Sequence, residues 1–168
     1  WYKFPVGENW TFTVGSRVNQ SVMLAMWPNV YPEDSVLDLF TQAGASGAYS
    51  SNLGAGGGVM WERGPLSISL NYIAGQGENG SSGSGLFGAD AGSSATAQVG
   101  YAADQWGIAA ALATIQNGFG IIDYASPFTL RSFNQPGITT GTALSGYWQP
   151  ARKGWVGVSI LQLAANRF

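Results

Sequence analysis

The chain has 168 residues, of which 10% are charged and 13% aromatic; an average soluble domain carries about 25% charge, and a disordered chain would be poorer in aromatics. It holds no Cys and no His, which excludes disulfides and thiol chemistry and removes the commonest acid–base catalyst and metal ligand, so no enzyme, cofactor or metal site is expected. The net charge is -2 with no basic run for nucleic acid, and no apolar stretch approaches the ~20 residues of a membrane helix.

In chain order, Trp1-Tyr2-Lys3-Phe4 is already strand-like, with Tyr2 and Phe4 opposite Lys3. A start without Met or signal segment is expected to come from a longer precursor. After a short turn at Pro5–Asn9, the segment Trp10–Val18 alternates with period two and places Thr11, Thr13, Gly15 and Arg17 on its polar face. A long connection, Asn19–Ala48, follows. Its stretch Val22-Met23-Leu24-Ala25-Met26-Trp27 is too apolar for a freely solvated loop, and Pro32–Phe40 reads as a short helix with Pro and acids at its start. Asp34 and Asp38, four residues apart, share one face of that helix.

Tyr49–Trp61 is a glycine-rich strand in which Gly54-Ala55-Gly56-Gly57-Gly58 marks a bend or a close backbone approach. The turn Glu62–Pro65 leads into Leu66–Tyr72, whose Leu66, Ile68, Leu70 and Tyr72 oppose Ser67, Ser69 and Asn71. Gln76–Gly92 reads as a flexible loop tip; it lacks the Gly-Lys-Ser/Thr ending of a phosphate loop. Asp90, Asp104 and Asp123 lack calcium-loop spacing. Ala95–Tyr101 turns Thr96, Gln98 and Gly100 to the polar face, and beyond Asp104–Gln105 the strand Trp106–Ile115 separates Trp106, Ile108, Ala110 and Leu112 from small residues. A third long connection, Gln116–Gly137, precedes Thr139–Gln149, with Leu144 and Trp148 opposite Ser145, Tyr147 and Gln149. The turn Pro150–Gly154 leads to Trp155–Leu163, where the two faces compete for the apolar residues.

The order predicts an all-β chain, residues 1–168, of about eight antiparallel strands, each near the ~9–11 residues that a tilted membrane strand needs. Short turns alternate with long loops, and tryptophans stand beside every short turn: Trp10, Trp61, Trp106, and Trp148 with Trp155. That combination describes a transmembrane β-barrel with an interfacial girdle. A soluble β-sandwich with a weakly charged surface is the alternative, since Trp beside a turn also caps soluble cores. Lys3 and Arg17 fall on the inward face by parity, where a cation avoids the roughly 2–4 kcal/mol cost of facing mid-bilayer lipid. If the first long connection folds inward, Glu33, Asp34 and Asp38 face a lumen lined by Lys3 and Arg17 and set its ion preference. If it caps the outside, they are solvated.

The stretches YKFPVGENWTFTVGSR (Tyr2–Arg17), MLAMWPNVYP (Met23–Pro32) and VLDLFTQAGASGAYSSNLGAGGG (Val36–Gly58) occur in that order. They continue through LSISLNYIAG (Leu66–Gly75), TAQVGYAADQWGIAA (Thr96–Ala110) and LSGYWQPARKGW (Leu144–Trp155). Together they resemble cyanobacterial outer-membrane porins, the iron uptake porins, related to carbohydrate-selective porins of the OprB type. The resemblance implies a larger barrel of about sixteen strands, of which this chain is a part. It also implies a surface-layer-homology domain and a coiled segment outside this chain that tether the barrel to peptidoglycan. The expected function is passive diffusion of small hydrophilic solutes across the outer membrane: inorganic ions including iron by the family name, or sugars by the OprB relationship. Outer-membrane lipid is the expected partner, and a homotrimer is compatible with this reading. A second expectation is a complete eight-stranded barrel serving as a structural anchor or adhesin, its interior filled by side chains.

Overall fold

The computed structural model describes residues 1–28, 45, 47–49, 53–81, 83–119, 127–128, 131, 136–151, 154–156 and 166–167. Its strands are β1 (Tyr2–Val6), β2 (Trp10–Asn19), β3 (Leu53–Arg63), β4 (Leu66–Ala74), β5 (Ser93–Ala102), β6 (Trp106–Gln116), β7 (Ile138–Ala151), β8 (Gly154–Val156) and β9 (Asn166–Arg167). Each strand pairs antiparallel with the next in one sheet, ordered β1 to β8, with β9 also on β7. The chain is therefore all-β, and its only regular helical turn before β3 among the described residues is the 3-10 segment Gln20–Met23. The helix expected over 32–40, with Glu33, Asp34 and Asp38, lies outside the described residues, as do residues 157–163 of the expected last strand.

Period-two alternation drives the sheet. In β4 the side chains read exposed, buried, exposed, buried from Leu66 to Asn71, and β6 repeats this from Trp106 to Ile115. Paired residues share a face, so register carries the pattern across the sheet: Leu70 sits opposite Val59 and Ala97, and Ser69 opposite Met60 and Gln98. The β3–β4 turn is tight because Gly64, at φ 58, adopts a left-handed conformation that side chains disfavour.

The alternation is inverted relative to a soluble sheet. Leu70 is 55% and Leu112 50% exposed, whereas Ser69 is 1% and Gln98 2% exposed. The face carrying Ser, Thr, Asn and Gln is the covered one. Among the described residues, what covers it is residues 20–28, 45 and 47–49 of the connection after β2. Val18 and Met23 pack on Ile73, and Ala45, Ala48 and Tyr49 pack on Ala111, Ala113 and Ala143. Small side chains on β6 and β7 let this layer approach closely. A Cβ on Gly141 would stand 2.0 Å from the Gly47 carbonyl oxygen. Gly141→Ala is therefore expected to destabilise the fold by about 1–3 kcal/mol, the usual range for overpacking. Urea unfolding measures it, and unchanged stability would show that Gly47 does not seat there.

Candidate functional site

Two surfaces carry the chemistry: the exposed apolar face and the covered polar face. On the apolar face the aromatic residues collect at the short-turn end. Trp10 lies opposite Trp61, with ring centroids 6.5 Å apart, and Trp106 lies opposite Trp148. Tyr101 stacks on Trp106 at 5.2 Å. Trp155 belongs to β8, where only the backbone is described. At the long-loop end, Tyr72 stacks on Phe87 at 5.3 Å, and its hydroxyl donates to the Leu86 carbonyl. Leu86 and Phe87 therefore fold back onto the sheet, so this part of the connection Gln76–Gly92 is anchored rather than a free tip. Between the tryptophans and Tyr72 the outward residues of β4, Ile68 and Leu70, are apolar and exposed. The 11 residues of β6 span about 33 Å at ~3.3 Å per residue.

The polar face meets the connection through a set of buried amides. Asn19 caps the 3-10 segment, its Oδ1 accepting from the Ser21 N–H at 3.0 Å and the Ser21 hydroxyl at 2.8 Å. That turn aims Gln20 at the sheet, where its Nε2 donates to Asn71 Oδ1 at 2.7 Å, Thr96 Oγ1 at 3.2 Å and the Ser94 carbonyl at 3.3 Å. Farther on, Gln98 holds Met26 by both backbone groups. Its Nε2 donates to the Met26 carbonyl at 2.9 Å, and its Oε1 accepts from the Met26 N–H at 3.4 Å. The same Nε2 donates to the Tyr49 hydroxyl at 3.3 Å. Burial pushes the Tyr49 phenol up, only partly offset by its hydrogen bonds to Gln98 and Ser145. It stays neutral and acts as a hydrogen-bonding post.

Gln20 Oε1, Asn71 Nδ2 and Ser94 Oγ are buried without a protein partner among the described residues.

The residues singled out from the sequence distribute as follows. Lys3 pairs with Thr13, and its Nζ donates to the Val22 carbonyl at 3.4 Å, so it lies on the polar face beside the connection. Arg17 is exposed and stands at a register shift between Gly15 and Val18. The odd-residue parity that assigned its facing does not run through this break: beyond it the fully buried side chain is Val18. Arg17 borders a hollow at the long-loop end together with Leu53, Gly75 and Glu78. Trp10, Trp61, Trp106 and Trp148 line one end of one face.

Gln20 and Tyr49 were not singled out from the sequence, and Gln98 was read only as inward. The signal available was the apolar stretch Val22–Trp27, which needs a covered surface, together with long polar side chains on a face otherwise built of small ones. Likewise, Leu86-Phe87 is the one bulky pair in a loop of Gly and Ser.

No family model matches the chain, and no match is found among characterised proteins or solved structures.

Proposed function

We propose that this chain is part of an outer-membrane porin barrel, with its apolar face in lipid and its polar face toward a water-filled passage. The observation that carries the reading is the inverted burial. Ile68, Leu70, Val99 and Leu112 are exposed, while Asn71, Thr96, Gln98 and Ser145 are covered. A soluble protein rarely leaves so continuous an apolar surface open, whereas lipid is a natural solvent for it. Sheet edges at β1 and beyond β7 need strand partners in lipid, and further strands of a larger barrel, about sixteen in all, supply them.

Solutes pass down their own gradient, with no cofactor. The class is small and hydrophilic, inorganic ions including iron first and sugars second. Lys3 on the wall and Arg17 at the long-loop end, with Glu33, Asp34 and Asp38 on the connection, set the ion preference. Planar-bilayer recording of the full protein tests this. A steady conductance is expected, and exchanging Asp34 and Asp38 for Asn should move the reversal potential toward anion preference. An unchanged reversal potential would remove these acids from the selectivity set.

One observation favours a second reading. The described residues of the connection lie directly on the polar face, seated by Gln20 and Gln98, as they would in a filled barrel that anchors without conducting. Insertion without any conductance would select that reading.

A further inference from the structure

The apolar face is not uniformly filled. Along β3 its outward positions are Gly57, Val59 and Trp61, opposite Val14, Phe12 and Trp10 on one side and Tyr72, Leu70 and Ile68 on the other. The floor is low because Gly57 has no side chain, and none fits: a Cβ there would stand 2.6 Å from the Thr13 carbonyl oxygen. Two shallow hollows result, of about 250 Å³ under the Trp10–Trp61 pair and about 440 Å³ beside Gly57, and they share Val59 and Leu70. They form one trough along β3. The first hollow is lined wholly by apolar side chains.

The trough has a direction. Beyond Trp61 the next outward residue is Arg63, which pairs with the exposed Leu66 at the short-turn end. From Gly57 to Arg63 the strand rises about 20 Å at ~3.3 Å per residue. With a tilt of about 40° that is about 15 Å of depth, half of a ~30 Å hydrocarbon core and so one leaflet. An apolar channel one leaflet deep ends in a tryptophan pair at headgroup level and then in a guanidinium, whose planar fork matches phosphate.

We infer that this trough holds one acyl chain of a glycerophospholipid whose phosphate is bound by Arg63. The inference rests on the lipid-facing assignment of this surface proposed above. The length, the mainly apolar lining and the cation at one end fit a phospholipid better than a second copy of the chain, whose apolar face would bring no anion to Arg63.

The test uses the full protein reconstituted in dioleoylphosphatidylglycerol vesicles, floated on a density gradient, then extracted in mild detergent and weighed by native mass spectrometry. Wild type is expected to float and to retain one lipid. Arg63→Gln, which removes the phosphate contact, and Val59→Phe, which fills the floor, should each float normally and lower retention about tenfold, the equivalent of one charge-assisted contact. Retention unchanged in Arg63→Gln, or a wild-type mass showing a second copy in place of lipid, would overturn the inference while leaving the membrane assignment intact. Wild type that does not float would overturn both.

Discussion

Leu70→Arg is expected to destabilise the fold strongly in lipid. Leu70 is exposed at the middle of β4, flanked in register by Val59 and Ala97, and lies between the Trp10–Trp61 pair and Tyr72. A cation at mid-bilayer on the lipid face of a barrel costs about 2–4 kcal/mol, a large part of the 5–15 kcal/mol that typically separates folded from unfolded protein. Leu70→Phe, apolar and tolerated by lipid, should insert like wild type. Urea titration in vesicles measures the difference. If the apolar face were instead the surface of a soluble sheet, the arginine would be neutral or improve solubility. A Leu70→Arg variant that folds as stably as wild type in lipid would therefore count against the assignment of this face.

Gln98→Leu should release the connection from the sheet. Leucine keeps the volume but leaves the Met26 N–H and carbonyl without their partner and takes one donor from the Tyr49 hydroxyl. Groups buried without partners cost about 1–3 kcal/mol each. A loss of about 2 kcal/mol in docking corresponds to about 30-fold faster hydrogen exchange at the Met26 amide. In the porin reading the same variant raises conductance or makes it fluctuate, because the layer on the polar face loosens. Unchanged protection at Met26 would mean that the apolar packing of Met23, Ala45 and Ala48 seats the segment without Gln98. The gain from the amide clamp would then be specificity of placement rather than stability.

Much of this sheet was legible in the residues. Leu66–Tyr72 and Trp106–Ile115 alternate without interruption, and the structure gives them the same two faces. The short turns and the strand order followed from local signals, since every hairpin joins neighbours in sequence. Arg17 shows where local reasoning ends. Parity persists only while the register does, and one irregularity between Gly15 and Val18 exchanges the faces beyond it. Nothing in Gly15-Ser16-Arg17-Val18 alone announces that break. The seat of the connection was beyond reach for another reason: Gln98 and Met26 are 72 positions apart, so their pairing depends on four strands having first brought β5 beneath the connection. The apolar stretch Val22–Trp27 said that a covered surface was needed, not which one. The lipid trough was hidden in the glycine run for a similar reason. A glycine marks a close approach or a bare floor, and the neighbours opposite Gly57 decide which.

The most direct measurement is a single-cysteine scan of β4, to which the chain is well suited because it contains no Cys of its own. Spin labels at Ile68, Ser69, Leu70 and Asn71 in the reconstituted protein would be read for collision with membrane-dissolved oxygen and with a water-soluble nickel complex. Strong period-two behaviour is expected, with oxygen dominating at positions 68 and 70 and low oxygen access at 69 and 71. Positions 68 and 70 open to the nickel complex and shielded from oxygen would contradict it, and would return the apolar face to water or to a protein partner.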